Sequence, residues 1–260
     1  AHRRIDKPLC IPLIVSLVGL VASATHLGNP ANALYVFMGV GRSPLSNEVL
    51  NAVIFLAFAG VYWLYSFAQK PRRLVQRLLA IGACLSAVVC ITAIAFAYSA
   101  DTIITWDTPF SPVSLWTNAL LGGPILAIVG LRAARWKSRG NRFGRLMLLL
   151  AIVAFAACLV VYVLQGASVL QAENAVSTAG DLVPHYALLV GVFAIFSAAG
   201  ICVDATSLFR PSVSRDDKAS PDEMTITVVR SSVAALLVLA GIFVMRFSFY
   251  MMHMTVGISF

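Results

Sequence analysis

Four residues of this 260-residue chain have the chemistry to move protons in apolar surroundings: His26, Glu48, Arg246 and His253. A neutral imidazole accepts a proton from a hydroxyl, and a nearby carboxylate can pass it on. His26 runs into Leu27-Gly28-Asn29-Pro30, a helix stop. Glu48 follows Ser46-Asn47 at the start of the next apolar run, so a short hairpin would bring the two side chains together. Each has a second reading. Glu48 can complement the positive end of a helix dipole beside a Ser46 cap, and His26 can be an interfacial cap. Arg246 precedes His253 by about 10 Å of helix rise, two turns along one face. Within an apolar run it either stabilises an anion, pairs with an acid or snorkels outward. His185, after Pro184, is a secondary candidate at an interface.

The elements that must position these groups are apolar helices. The chain is 60% hydrophobic and 12% charged, about half the charged share of a soluble domain. Seven stretches approach or exceed the roughly 20 residues needed to cross a bilayer: 8–27, 47–67, 74–99, 113–134, 144–165, 183–208 and 229–255. Segments of alternating hydrophobicity that would mark a β-barrel are absent. The expected fold is all-α, a polytopic transmembrane helix bundle forming a single integral membrane domain over residues 1–260.

Of the nineteen Lys and Arg residues, all but Arg42 and Arg246 fall at alternate turns, near 3–7, 70–77, 132–145 and 210–230. This is the positive-inside pattern, so residue 1 is expected on the cytoplasmic side and residue 260 outside. The formal charge of +8 then reflects topology and gives no reason to expect nucleic acid. Glu48, Asp101, Asp107, Glu173 and Asp181, with His26, His185 and His253, fall toward the opposite, outer half. Cys10, Cys84, Cys90, Cys158 and Cys202 lie inside apolar runs without paired ligand spacing, so neither zinc nor an iron–sulfur cluster is expected in this chain. The histidines sit near helix ends, and no haem is expected between them.

Particular strings carry a resemblance. His26-Leu27-Gly28-Asn29-Pro30 and Val40-Gly41-Arg42-Ser43-Pro44-Leu45-Ser46-Asn47-Glu48 resemble the first outer hairpin of the DmsC-type membrane anchors of anaerobic dimethyl sulfoxide reductases. The similarity continues in order through Thr105-Trp106, Pro109, Gly122-Gly123-Pro124, Gln165-Gly166-Ala167, Leu182-Val183-Pro184-His185-Tyr186, Phe249-Tyr250 and His253-Met254-Thr255-Val256-Gly257. The resemblance implies a non-catalytic anchor subunit in the plasma membrane of a bacterium, serving anaerobic respiration. It would oxidise menaquinol as substrate, without haem or metal of its own. It would hold an iron–sulfur electron-transfer subunit and a molybdopterin catalytic subunit on the outer face.

The family's quinol-site histidine and acid correspond to His26 and Glu48. A basic position six residues after the histidine is Asn32 here, which can only hydrogen-bond, and Tyr250 in the terminal run is a further candidate. The family has eight helices with both ends outside, so seven beginning inside implies that the first is missing from this chain. Two other classes compete. A transporter would show broken helices and a polar site at the midplane. A purely structural anchor would leave His26, Glu48 and Arg246 tolerant of change.

Overall fold

The computed structural model describes residues 7–25, 30–99, 101–134, 142–174, 177–209 and 221–255, and among them the regular structure is helical. A 3-10 turn, Lys7–Leu9, leads into α1, Cys10–Thr25, and a 3-10 run, Pro30–Gly39, precedes α2, Pro44–Tyr65. The remaining helices are α3 (Arg73–Ala97), α4 (Phe110–Ala133), α5 (Arg142–Val169), the single turn α6 (Ala179–Leu182), α7 (Tyr186–Phe209) and α8 (Pro221–Met251). Six of these, α2, α3, α4, α5, α7 and α8, are long and apolar enough to cross a membrane. The chain is a multi-pass membrane protein. Of the first expected stretch, 8–27, the structure describes the 16-residue α1 after a 3-10 turn, and residues 26–27 lie outside the described set.

Several helix starts fall earlier in the chain than hydropathy places them. Ser43, not Ser46, caps α2: its hydroxyl accepts from the Ser46 amide, and Pro44 takes the first helical position, where its missing N–H costs nothing. Gly41, at φ 82°, supplies the left-handed turn before this cap. Likewise α8 opens at Pro221, so part of the polar 209–227 segment is helical. Polar first turns carry no hydrophobic signal, which is why apolar runs underestimate these helices.

Contacts divide the chain into two compact units, Ala1–Tyr98 and Ser99–Phe260. In the first, α2 packs along α3, and α1 lies against α2 with much of its apolar surface exposed. In the second, α5 buries Leu148, Ala151, Ala154, Cys158, Tyr162, Gln165 and Val169, a stripe at helical period. The pair α7 and α8 pack tightly at Gly200, where a Cβ would lie 2.6 Å from the Ala234 carbonyl oxygen. Small residues let two membrane helices gain dispersion contact where lipid supplies no hydrophobic drive between them.

Candidate functional site

The first unit contains a cleft of about 380 Å³, within the range of small-molecule sites. Three helix faces of one period line it: Ser16, Gly19, Leu20 and Ser23 from α1, Glu48, Val49, Ala52, Phe55 and Leu56 from α2, and Ala87, Cys90, Ile91 and Ile94 from α3. The small side chains at Gly19, Ala52 and Ala87 leave the space between these faces unfilled. From Glu48 to Leu56 the cleft follows about 12 Å of helix rise. The walls are apolar apart from Glu48, the hydroxyls of Ser16 and Ser23, and the Cys90 thiol.

Glu48 lies in the second turn of α2, since the helix starts at Pro44. The dipole effect is concentrated in the first turn, so dipole complementation is a weaker account than the expected start at 47 allowed. Its side chain is half-buried, makes no hydrogen bond or ion pair among the described residues, and acts electrostatically on Cys90. A carboxylate in an apolar cleft without a partner is poised to take a proton or a hydroxyl hydrogen bond. Neither the spacing of polar residues nor the motif pointed to Ser16, Ser23 or Cys90. Their i, i+7 and i, i+3 relations to other lining residues were legible only once the facing helices were known.

The other candidates divide between the units. His26 lies outside the described residues. Asn32 falls in the 3-10 run, with its side chain outside that set. Arg246, Tyr250 and His253 belong to the second unit, where the structure brings them to one end around Trp106. The Trp106 ring stacks on Phe249 at 4.8 Å and meets Tyr250 and His253 edge-on at 5.9 and 5.1 Å. The Arg246 guanidinium lies 4.6 Å from the Phe249 ring centre and 5.4 Å from that of Tyr250, both within cation–π range.

Hydrogen bonds to the backbone carbonyls of Phe249, Met252 and Met254 clip this end shut. The Ile104 amide donates to the Met254 carbonyl at 3.0 Å, the Trp106 indole N–H to the Phe249 carbonyl at 3.0 Å, and the Thr105 hydroxyl to the Met252 carbonyl. His253 and His185 are both exposed. Near His185, Thr178 and Asp181 form a reciprocal cap on α6. The Thr178 hydroxyl and then its backbone hold the Asp181 carboxyl below the usual range.

At the opposite end of the second unit, Arg132 donates to Asp204 at 2.8 Å and also bonds the Ser231 hydroxyl. In the sequence Arg132 reads as part of a basic loop cluster, but here it is a helix residue tying α4, α7 and α8. Among the described residues no three His, Cys, Asp or Glu side chains converge as metal ligands would.

Comparisons with known proteins agree on one family. A family model described as DMSO reductase anchor subunit (DmsC) matches residues 2–252. The sequence is 31% identical over 258 residues to YnfH of the anaerobic dimethyl sulfoxide reductases of Escherichia coli, covering 99% of this protein and 85% of that one. It is 30% identical over 243 residues to the C subunit of anaerobic dimethyl sulfoxide reductase from the same organism, covering 93% and 79%. To the corresponding C subunit of Haemophilus influenzae it is 29% identical, covering 98% and 84%. No solved structure matches.

Proposed function

This chain belongs to the DMSO reductase anchor subunit family, and from that membership we propose that it oxidises menaquinol and passes the electrons to an iron–sulfur partner. It is the membrane anchor of a dimethyl sulfoxide reductase complex. The observation that carries the quinol reading is the Glu48 carboxylate, which has no partner among the described residues, in the apolar cleft of the first unit. An aromatic diol with an isoprenoid tail needs such a surface: apolar walls for ring and tail, and a hydrogen-bonding group for a hydroxyl.

In this reading a quinol hydroxyl lies at Glu48, and the tail follows Phe55 and Leu56 along the cleft. Oxidation breaks both O–H bonds and yields the quinone, two protons and two electrons. Glu48 takes one proton and His26 takes the other, and both are released to water at the α2 start. The electrons leave to an iron–sulfur cluster in a partner subunit. That subunit and a molybdopterin catalytic subunit dock on the outer face, where Asp101, Asp107, Glu173 and Asp181 leave an acidic, cation-poor surface. Arg246, Tyr250 and His253, gathered around Trp106 and Phe249, form a second candidate position for a quinol at that face, with His185 and Asn32 as secondary candidates. The anchor sits in the bacterial cytoplasmic membrane with its basic helix ends inside. The anchor itself carries no haem or metal and does not reduce the terminal acceptor.

The test uses membranes carrying the whole complex, with wild type compared with Glu48→Gln and His26→Ala. Oxidation of a menaquinol analogue is expected to fall by about 100-fold or more, while reduced-dye-driven catalysis and subunit assembly persist. Unchanged quinol oxidation in both variants would overturn the assignment and leave a structural anchor.

A further inference from the structure

The second unit contains a polar layer of its own, buried where a membrane protein can least afford unsatisfied groups. Asn118 on α4 accepts at Oδ1 from the Tyr162 hydroxyl at 2.8 Å and from the Cys158 thiol at 3.6 Å. Its Nδ2, the Nε2 of Gln165 on α5 and the Oγ of Ser248 on α8 are all buried and have no partner among the described residues. Asn118 is 7% exposed, Gln165 2% and Ser248 fully buried.

Helix α4 packs against both α5 and α8 and runs opposite to each, which fixes the relative depth of these groups along it. Gly122 faces Ile242, so Ser114 and Ser248 lie about 9–12 Å nearer the Trp106 end than that contact. Gln165 is one turn nearer that end than Tyr162, which bonds Asn118, and so reaches the same depth. Ser114, Gln165 and Ser248 therefore share one level, with Asn118 and Tyr162 about one turn deeper. Beyond them the core turns apolar at Leu121, Ile125 and Val238, and the Arg132–Asp204 pair lies further along.

We infer that this layer binds ordered water molecules, held by the amides of Asn118 and Gln165 and the hydroxyl of Ser248. Water is the ligand that matches the chemistry. The open groups are neutral and mix donors with acceptors, and the charge that reaches the layer is the Arg246 cation near Tyr162 rather than a carboxylate that would select a metal ion. A buried water makes two to four hydrogen bonds, which is what these side chains leave open. The apolar layer at Leu121 and Ile125 closes the water site on its deep side. The water site thus sits between the Trp106 end and this apolar layer. It is independent of the quinol reading, since none of its residues line the cleft of the first unit.

The test is radiolytic hydroxyl-radical labelling of the purified complex in water enriched in oxygen-18, read by mass spectrometry. Bound water places radicals beside Tyr162, so this buried ring is expected to take up the heavy oxygen, as exposed His253 does. The label at Tyr162 should be lost in Asn118→Leu and in Gln165→Met, with His253 labelled as before. A wild-type protein in which His253 is labelled and Tyr162 is not would overturn the inference. A Tyr162 label that persists in both folded variants would do the same.

Discussion

Glu48 and Asp204 lie within membrane-spanning helices of this protein, one in each unit, and their surroundings differ in kind. Asp204 is fully buried, bonded to Arg132, with Ser231 on the same guanidinium. Glu48 is half-buried, faces a cleft, and has no hydrogen-bonding partner among the described residues. A buried acid whose charge is matched by its own fold holds helices together. One left unmatched in apolar walls is available to a ligand. The units follow the same division: the second is cored, cross-tied and clipped at its end, while the first leaves a cleft between α1, α2 and α3.

Breaking the matched pair should have the largest effect on stability. Asp204→Asn leaves the Arg132 charge without its counter-ion, and removing one member of a buried pair costs about 3–5 kcal/mol. The expected outcome is a sharp fall in folded yield and in Tm of the purified anchor complex. Replacing both partners with apolar residues, Arg132→Met with Asp204→Leu, should recover much of that loss. If Asp204→Asn behaves as wild type in thermal unfolding, the pair is not holding the three helices.

Trp106→Ala should come next. It removes the stack on Phe249, the indole bond to the Phe249 carbonyl and the edge contacts to Tyr250 and His253, at a cost of about 2–4 kcal/mol. Limited proteolysis should then cut faster near 101–109 and after Met251, while Asp204-dependent unfolding is unaffected. Equal protection in wild type and variant would show that the clip contributes little.

Filling the unmatched site should act on function and spare stability. Ala52→Leu projects a larger side chain into the cleft and is expected to raise KM for a menaquinol analogue, with Tm unchanged or higher. A fall in Tm with unaltered KM would mean that the cleft is merely loose packing.

The smallest effect concerns the α6 cap. Hydrogen bonds from Thr178 depress the Asp181 carboxyl, so its contribution to stability is present above the ordinary aspartate value, near 4. That contribution is lost as pH falls through the depressed folded value. Protection factors of the amides at 179–182, taken relative to the intrinsic exchange rate at each pH, should therefore fall in acid for wild type relative to pH 6 and show no such acid step in Asp181→Asn.

Much of this was legible in the sequence. Hydropathy located every long helix, because roughly 20 apolar residues in a row have few other uses. Motif order identified the family. Helix starts were misplaced wherever a polar first turn preceded the apolar run, as at Pro44 and Pro221. Asn118 and Gln165 read as residues near helix ends, but the longer helices carry them into the core. The Arg132–Asp204 pair was hidden for a different reason: a basic cluster shows which charges are near an interface, not which one turns inward to meet an acid 72 positions away. The cleft was likewise out of reach, since it depends on which faces of α1, α2 and α3 meet.

The most direct measurement of the central claim is photo-crosslinking of an azido-naphthoquinol to the whole complex, followed by peptide mapping. The account predicts label on the lining residues of α1, α2 and α3, competed away by unmodified menaquinol and lost in Ala52→Leu. Competable label confined to the second unit, with none on the first, would contradict it.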